Sequence, residues 1–522
     1  MSATSAAIGR RPITASILAA TLGAAIWLIW EPHTADMAAQ VYRAELAGRA
    51  GIVSWDGQWY GGHYMPAYSI LMPLLGGLIG AWLAGAVAAV SAAGLLAAIA
   101  KLTARGNQPA ALVAGLLLAS GSLSALYSGR TTYLLGVAIG AGALLALMKS
   151  KPLLWVPLAL LTPLASPVAA LFLALCGTAI LIGRRRWAGL VLAALALAPA
   201  VALSLAFPEG GVQPFSLWLL IPSLIASLVG FKIIPKDRVE LRIGVGLYLL
   251  LCVGAFLVPS PVGGNVTRLG PLVAAAIAAL IMIPARRRRM LILLLIPTVA
   301  WQIAEPAVDL LRTAGDQSTE ASYYQPLIEA LNDQASQPGR VEVVWTRSHW
   351  ESALLAPTYA LARGWERQLD NRFNSQVNGN AITPTALRKW IDGLAVHWVA
   401  LPSAPIDFAA EGEAKLVRSG LPWLRPVWRS RDWQLFKVVA PTTIATGAAT
   451  ATALNPRSVE LMATRTGSSL VRVRYNRLWH LEGISGCVKA GANGMTEIQI
   501  RSVGRGSLRL DGSIGSAATC GR

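Results

Sequence analysis

A series of apolar runs in the first 306 residues constrains the fold more than any other feature. A transmembrane helix needs about 20 predominantly apolar residues. Charged residues make up only 14% of the chain and the mean hydropathy is +0.52, which excludes a soluble enzyme and a disordered chain. We predict a polytopic α-helical membrane protein with about eleven spans, at 13–30, 81–100, 109–127, 132–148, 152–165, 168–183, 187–207, 215–230, 243–258, 270–284 and 290–306.

Basic residues between the runs predict which side each loop occupies. Loops on the cytoplasmic side of a membrane carry an excess of Lys and Arg. If the N-terminus is cytoplasmic and the first run stays uncleaved, the inner loops hold Arg10, Arg11, Lys101, Arg105, Lys149, Lys151, Arg184, Arg185, Arg186, Lys232, Lys236, Arg238, Arg242 and Arg286 to Arg289. The outer loops before residue 305 hold only Arg43, Arg49, Arg130 and Arg268. We therefore attribute the net charge of +19 to the orientation of the spans in the plasma membrane. It does not indicate a nucleic-acid partner.

An odd number of spans puts the remainder of the chain outside the cell. Residues 307–440 alternate helical patterns (324–334, 350–363, 385–394) with short strand-like runs (341–345, 398–401, 433–439), which predicts an extracytoplasmic α/β domain. The Thr- and Ala-rich stretch 441–454 is typical of a linker. Alternating segments in 455–522 predict a small β-sandwich-like module. Cys487 and Cys520 both fall in this module, and an oxidising exterior permits a disulfide between them.

The first outer loop, residues 31–66, is the main candidate for a functional site. It holds four acids, two histidines and several aromatic residues, and it is much longer than a simple connection requires. Long loops in compact architectures are often functional, although a solvated loop with ordinary interfacial aromatics is the alternative. Asp36 stands just after the first span, and the turn Tyr60-Gly-Gly-His63-Tyr-Met-Pro66 precedes an apolar stretch, 67–80, which suits an interfacial helix.

One span followed by a long outer loop, with an early acid and a closing His-x-x-Pro-like turn, resembles the GT-C membrane glycosyltransferases. This class includes protein mannosyltransferases, aminoarabinose transferases and mycobacterial arabinosyltransferases, and the Ala-rich composition resembles membrane proteins of actinobacteria. The resemblance implies a polyprenyl-phosphate-linked sugar as donor and a cell-envelope glycan or protein as acceptor. It assigns Asp36 as the general base of an inverting single displacement.

A leaving phosphate needs positive charge, and two arginines in other outer loops are candidates. Arg130 lies in Ser-Gly-Arg-Thr-Thr, and Arg268 follows Asn265 in Gly-Gly-Asn-Val-Thr-Arg. A guanidinium binds phosphate through two parallel hydrogen bonds. We therefore predict Arg268, Arg130 and Asn265 as the donor phosphate site. The alternative for each arginine is contact with lipid headgroups.

Asp56 is a second candidate for catalysis, with four neighbours as candidates for substrate binding. In Trp55-Asp56-Gly-Gln-Trp59, the carboxylate can orient sugar hydroxyls while the indole rings stack on the sugar; Tyr60 and His63 extend this set. An Asp-Gly turn flanked by packed aromatic rings is the equal alternative.

A divalent metal is the one cofactor for which the loop holds candidate ligands. His33 and His63 can be combined with Asp36 or Asp56, but their spacing fits no known metal signature.

Two further functional classes compete with the transferase. A transporter or flippase of envelope precursors usually keeps ionisable residues at mid-membrane, whereas the predicted spans carry almost no charge. A non-enzymatic envelope-assembly protein would use its outer domain and would not depend on Asp36.

Overall fold

The computed structural model describes residues 3–334, 337–510 and 520, with the side chains of 3–10 left out of the description. The chain divides into two compact units. The helical unit comprises residues up to Val53 and Met65–Ala314, and the mixed unit comprises Ser54–Tyr64 and the residues from Gly315 onward.

The described residues of the helical unit form thirteen α-helices. Their bounds are α1 Ala3–Trp30, α2 Ala35–Ala50, α3 Leu71–Ile79, α4 Ala81–Thr103, α5 Gln108–Tyr127, α6 Thr131–Met148, α7 Pro152–Ala165, α8 Pro167–Arg184, α9 Trp187–Ala206, α10 Leu217–Ile233, α11 Val239–Leu257, α12 Leu269–Met282 and α13 Arg288–Thr313, with a 3-10 helix at Gly263–Arg268.

The predicted spans correspond to these helices. Within the described residues, nine helices are long and apolar enough to cross a membrane, and the shorter apolar helices α7 and α10 occupy the two remaining predicted segments. α3, with nine residues, is too short to span and covers the stretch predicted to be interfacial. The predicted end of the last span at residue 306 is too early, because α13 continues to Thr313 before the helical unit ends.

Small residues allow the helices to pack closely. Ala84, Ala88 and Ala92 of α4 are buried, and the Ser16 hydroxyl of α1 donates to the Gly115 carbonyl of α5 (2.9 Å). In a membrane there is little hydrophobic drive between helices, so close van der Waals packing and such hydrogen bonds stabilise the bundle.

Loops predicted to share a side meet each other. At the ends predicted to be inner, Arg105 pairs with Asp237 (2.8 Å), and Arg238 donates to the Thr103 carbonyl (2.7 Å). At the opposite ends, Arg130 pairs with Glu305, and its Nε lies 4.0 Å from Asp36 Oδ2. These contacts join helix ends that the charge pattern predicts to lie on the same side of the membrane.

In the part of the mixed unit that the structure describes, there are three four-stranded sheets and a small hairpin. Its helices are α14 Ala321–Gln334, α15 Glu351–Leu354, α16 Arg367–Phe373, α17 Pro384–Gly393 and α18 Glu411–Arg418. Its strands are β1 Trp55–Asp56, β2 His63–Tyr64, β3 Arg340–Val343, β4 Val396–Pro402, β5 Leu424–Arg429, β6 Trp433–Val438, β7 Ala445–Gly447, β8 Ala449–Asn455, β9 Ser458–Ala463, β10 Gly467–Arg474, β11 Trp479–Glu482, β12 Gly486–Ala490, β13 Met495–Ile500 and β14 Gly504–Leu510.

The sheet orders define an α/β part and a sandwich part. One sheet has the order β3-β4-β6-β5, with β3 and β4 parallel. The other two have the orders β12-β13-β10-β7 and β11-β14-β9-β8, and their inward residues share one core that includes Val459, Val471 and Ile498. The predicted fold class, a polytopic helical protein with a C-terminal α/β part and a terminal β module, is confirmed.

Two local predictions were wrong. The stretch 441–454 is not a linker, because β7 and most of β8 lie within it and Ala445, Ala448 and Ala449 are buried in the sandwich core. The segment 350–363 is helical only over α15; its remainder forms turns and an isolated bridge between Leu361 and Val341. Pairing partners distant in sequence decide both outcomes. Residues 511–519 and 521–522 of the predicted module lie outside the described residues.

Candidate active site

Asp36 lies in the first turn of α2, a helix within the predicted first outer loop. α2 begins at Ala35, after Thr34 in an extended conformation, and places Asp36, Gln40 and Arg43 at helical spacing along its length. The helix dipole favours a carboxylate in the first turn. The Asp36 side chain is 42% exposed, so it is accessible from outside the bundle.

Arg130 lies beside Asp36 because of a tight turn between α5 and α6. Gly129 has φ +77°, and a Cβ there would lie 2.8 Å from Thr34 Oγ1, so the turn approaches the start of α2 closely. Arg130 Nε lies 4.0 Å from Asp36 Oδ2, and Arg130 Nη1 forms an ion pair with Glu305 Oε2. Burial lowers the pKa of Arg130, but the attraction of Glu305 and other acids outweighs it and raises the pKa, so the group stays cationic.

Arg268 is the second cation of this cluster. It ends the 3-10 helix, its guanidinium lies 5.8 Å from the centre of the Tyr133 ring, and its carbonyl accepts from the Tyr133 hydroxyl (3.4 Å). It is repelled by Arg130 and attracted by Asp36 and Glu305. In the described part of the chain its guanidinium has no ion pair, which distinguishes it from Arg130.

Asn265 shares the 3-10 helix with Arg268 and is half-buried there. Its backbone N–H donates to the Val262 carbonyl (2.9 Å). Asn265 thus lies one helical turn before Arg268. Among the described residues, its side chain has no hydrogen bond to Asp36, Arg130 or Arg268.

Two acids of α13 were missed by the sequence analysis. Glu305 and Asp309 are one turn apart at the end of the last span, and both attract Arg130. The available signal was a pair of acids at i and i+4 next to an apolar helix, because ionisable residues in or near spans are usually functional or paired.

Uncharged polar groups continue the cluster along α2. The Thr132 hydroxyl donates to Gln40 Oε1 (2.6 Å), and Gln40 Nε2 donates to the Tyr68 hydroxyl (3.2 Å). The Arg43 guanidinium lies 3.9 Å from the centre of the Tyr68 ring. Hydrogen bonds and a cation–π contact thus hold α2 against α6 and the segment before α3.

Asp56 belongs to the other unit and is fully buried. β1 and β2 pair Asp56 with His63, Asp56 Oδ1 accepts from the Gln58 N–H (3.0 Å), and Asp56 Oδ2 lies 3.9 Å from His63 Nδ1. The carboxylate therefore stabilises a turn in a packed interior. This corresponds to the structural alternative that the sequence left open.

The four candidate sugar-binding residues are also packed against protein. Trp55, Trp59, Tyr60 and His63 are all buried. The Trp59 and His63 rings stack at 5.6 Å, and the Tyr60 hydroxyl accepts from the Glu366 N–H (2.9 Å). Burial raises the pKa of Tyr60 well above its usual value, so its hydroxyl stays neutral. In this arrangement the rings fill a core, and no face is presented to a sugar.

The described residues contain no group of three or more His, Cys, Asp or Glu that could hold a metal ion, and the candidate ligands His33, His63, Asp36 and Asp56 form none. The His33 ring packs edge-on against Trp82 at 5.6 Å.

The structure joins Cys487 and Cys520 through a disulfide. Cys487 lies in β12, and the Cys520 N–H donates to the Val488 carbonyl (3.3 Å). Cys176 and Cys252, in α8 and α11, are free thiols.

Two solved structures align with most of the chain. The apo crystal structure of ArnT from Cupriavidus metallidurans shares 13% identity, covers 78% of this chain and 93% of its own, and has a TM-score of 0.39. The cryo-EM structure of the arabinofuranosyltransferase AftD from Mycobacteria shares 15% identity, covers 78% of this chain and 39% of its own, and has a TM-score of 0.41. No family model and no curated protein matches the sequence. Because both TM-scores lie below 0.5, the functional argument rests on this chain's own residues.

Proposed function

We propose that this protein is a GT-C-type membrane glycosyltransferase that moves a sugar from a polyprenyl-phosphate donor to a cell-envelope acceptor. The observation that supports this best is the convergence of Asp36, Arg130 and Arg268 at one end of the helical unit. These residues come from three separate segments, the start of α2, the turn before α6 and the 3-10 helix before α12, and the sequence predicts a role for each in the same reaction. An exposed carboxylate beside a cation without an ion pair is what such a transfer needs.

The reaction is a single displacement at the anomeric carbon. Asp36 accepts the proton of an acceptor hydroxyl while that oxygen forms a bond to the anomeric carbon. The bond between the sugar and the phosphate oxygen breaks, and its electron pair leaves with the polyprenyl phosphate. Because one carboxylate suffices and no covalent sugar–enzyme intermediate forms, the configuration inverts.

Arg268 is the residue that we assign to the donor phosphate. Its guanidinium has no ion pair in the described residues, whereas Arg130 is already paired with Glu305. A guanidinium can donate two hydrogen bonds to a phosphate in a fixed geometry. Tyr133, close beneath it, supplies a ring face that helps to hold the cation.

The location follows from charge. We propose that the site faces the outside of the plasma membrane and that the mixed unit is extracytoplasmic, since the opposite helix ends carry most of the basic residues. An impermeant thiol reagent applied to whole cells should label a cysteine introduced at Gln325 but not one at Arg287. Labelling of Arg287→Cys alone would place the site in the cytoplasm and contradict the proposal.

Three variants test the chemistry in membranes from a deletion strain supplied with radiolabelled polyprenyl-phosphate pentoses and hexoses. Asp36→Asn keeps the shape of the side chain but removes its basicity, so transfer to envelope glycans should fall about 10²–10⁴-fold. Binding of undecaprenyl phosphate should survive. Arg268→Ala should weaken both binding and transfer.

Glu45→Gln is the matched control, because Glu45 is exposed on the same helix and pairs only with Arg49 in the ion pairs of the described residues. It should transfer like the parent at equal protein level. Undiminished transfer by Asp36→Asn would eliminate the mechanism, and unchanged envelope glycans in the deletion strain would favour the assembly protein. Equal losses in all three variants would indicate that the segment matters for folding only.

A further inference from the structure

Glu305 has the most direct contact with the candidate site among the residues that the proposed chemistry leaves without a role. It lies toward the end of α13, and its side chain is only 19% exposed. A carboxylate in such a position is costly unless it is paired, and its partner is Arg130, from the turn before α6.

The position of Glu305 is set by the helix that carries it. Gln302, one turn earlier in α13, is fully buried and donates through Nε2 to the carbonyls of Pro271 (2.7 Å) and Leu117 (3.2 Å). The Ser124 hydroxyl donates to the Gln302 carbonyl (2.5 Å). α13 is thus hydrogen-bonded to α12 and α5 immediately before Glu305, which limits how far the carboxylate can move.

Arg130 lies among three carboxylates, those of Glu305, Asp309 and Asp36. Its Nη1 pairs with Glu305, while its Nε remains 4.0 Å from Asp36, beyond hydrogen-bond distance. A guanidinium released from Glu305 would have two acids left to pair with, Asp309 and Asp36, and Asp36 Oδ2 already lies 4.0 Å from its Nε. Such an ion pair would lower the proton affinity of Asp36 and make it a poorer base.

We propose that Glu305 is a positioning residue that holds Arg130 away from Asp36, so that Asp36 stays available as a proton acceptor. This inference rests on the function proposed above and adds to it a role for the last span. Within the described residues, Arg268 and Asp309 also interact electrostatically with Asp36 and Arg130, Tyr133 lies near Arg130 and Arg268, and Tyr68 acts on Arg268.

The test compares Glu305→Gln with Glu305→Asp in the same transfer assay. Glu305→Gln should reduce transfer about tenfold or more and move the acid limb of the pH–rate profile to lower pH, because one pH unit of lost proton affinity corresponds to about a tenfold change. Binding of undecaprenyl phosphate should be unchanged or tighter, since a negative charge has been removed. Glu305→Asp, which keeps the charge, should restore most of the transfer.

A double-mutant cycle separates positioning from folding. In an Arg130→Gln background there is no cation to hold, so the further substitution Glu305→Gln should cost little additional transfer. A full additional loss in that background would overturn the inference, and so would lost transfer in Glu305→Gln with an unshifted pH profile.

The Asp36→Asn variant distinguishes a failure of the positioning role of Glu305 from a failure of the proposed transferase function. If Asp36→Asn is inactive and Glu305→Gln behaves like the parent, the positioning role is wrong while the proposed function stands. If Asp36→Asn retains transfer, both are wrong. Inactive Asp36→Asn together with a shifted profile in Glu305→Gln supports both.

Discussion

Each unit contains a cluster of arginine and carboxylate side chains, and the two clusters differ in burial and in pairing. In the mixed unit, Arg363 is fully buried, binds both oxygens of Asp370 (3.0 and 2.9 Å) and donates to Glu413 (3.2 Å). Its guanidinium also covers the Trp345 ring at 3.8 Å. In the helical unit, Asp36 is exposed and Arg268 has no ion pair in the described residues.

The difference shows how to distinguish a structural cluster from a functional one. A buried charge must be paired and hydrogen-bonded, and in the mixed unit the cation is fully committed to its neighbours. At the end of the helical bundle, a carboxylate remains accessible and a cation has no ion pair in the described residues, so both can act on a substrate. The following changes test that distinction, from the largest expected effect to the smallest.

Removal of the buried cation should have the largest effect on stability. Arg363→Ala leaves Asp370, Glu413 and Glu342 buried without their arginine, and the free energy of unfolding should fall by about 3–5 kcal/mol. Calorimetry of the purified protein in detergent measures the loss as a lower unfolding temperature of the mixed unit. A variant that melts like the parent would show that these acids are not held by Arg363.

The anchoring of the hairpin in the mixed unit can be tested at one glycine. Gly62 has φ +118°, and a Cβ there would lie 2.2 Å from Trp55, so Gly62→Ala should cost about 1–3 kcal/mol through strain and overpacking. Gly420→Ala is the control, because Gly420 also has a positive φ (+79°) but no atom within 4 Å of its added Cβ. Equal melting of the two variants would contradict the close packing of the hairpin.

The acids of the buried cluster should make stability depend on pH. Burial raises the pKa of Glu413 to about 7, from an ordinary value of 4.5, and burial with the neighbouring Glu413 raises the pKa of Glu342 well above its usual value. Because the folded chain holds these protons more tightly than the unfolded chain, their contribution is complete below pH 4.5 and is lost as the pH rises through 7.

Each proton lost contributes a slope of about 1.4 kcal/mol per pH unit over that window. Glu342→Gln supplies a permanent donor to Glu413, so it should flatten the slope and melt higher than the parent at pH 8. Melting temperatures measured between pH 5 and pH 8 give the comparison. A parent whose stability rises over this window would contradict the predicted direction.

The smallest effect is expected at an exposed pair. Lys489 Nζ lies 3.0 Å from Glu497 Oε1 on a neighbouring strand of the sandwich, and the lysine side chain is half exposed. Lys489→Gln should change the free energy of unfolding by less than about 1 kcal/mol, because water screens such pairs. A loss of unfolding free energy as large as that expected for Arg363→Ala would mean that burial does not explain the difference between the buried and the exposed ion pairs.

Much of this architecture was predictable because it depends on properties summed over short stretches of the sequence. Hydropathy over about 20 residues defines a span, and the counts of Lys and Arg between spans define the side. Strands such as β4, β6 and β10 follow from short alternating or β-branched runs. The candidate residues Asp36, Arg130 and Arg268 were identifiable as polar groups at one predicted side.

Other features depend on partners far away in the sequence. Arg130 and Glu305 are separated by 175 positions, and no local pattern announces their pairing. Leu361 donates to the Gln58 carbonyl, and Arg474 Nε donates to the Tyr60 carbonyl across 414 positions, so the hairpin belongs to the mixed unit although it lies between α2 and α3. The same is true of 441–454, whose strands exist only because β9 and β10 are beside them.

The sequence by itself therefore determined the membrane class and predicts the sidedness of the helix ends, because composition and charge act without knowledge of distant contacts. Asp36 was assigned by the family resemblance of its segment. Only the tertiary structure decided that Trp55, Asp56, Trp59, Tyr60 and His63 are buried, and that Arg130 is paired while Arg268 is not. Burial and ion pairing depend on which surfaces meet. That outcome arises from the packing of the whole unit and cannot be read from neighbours along the chain.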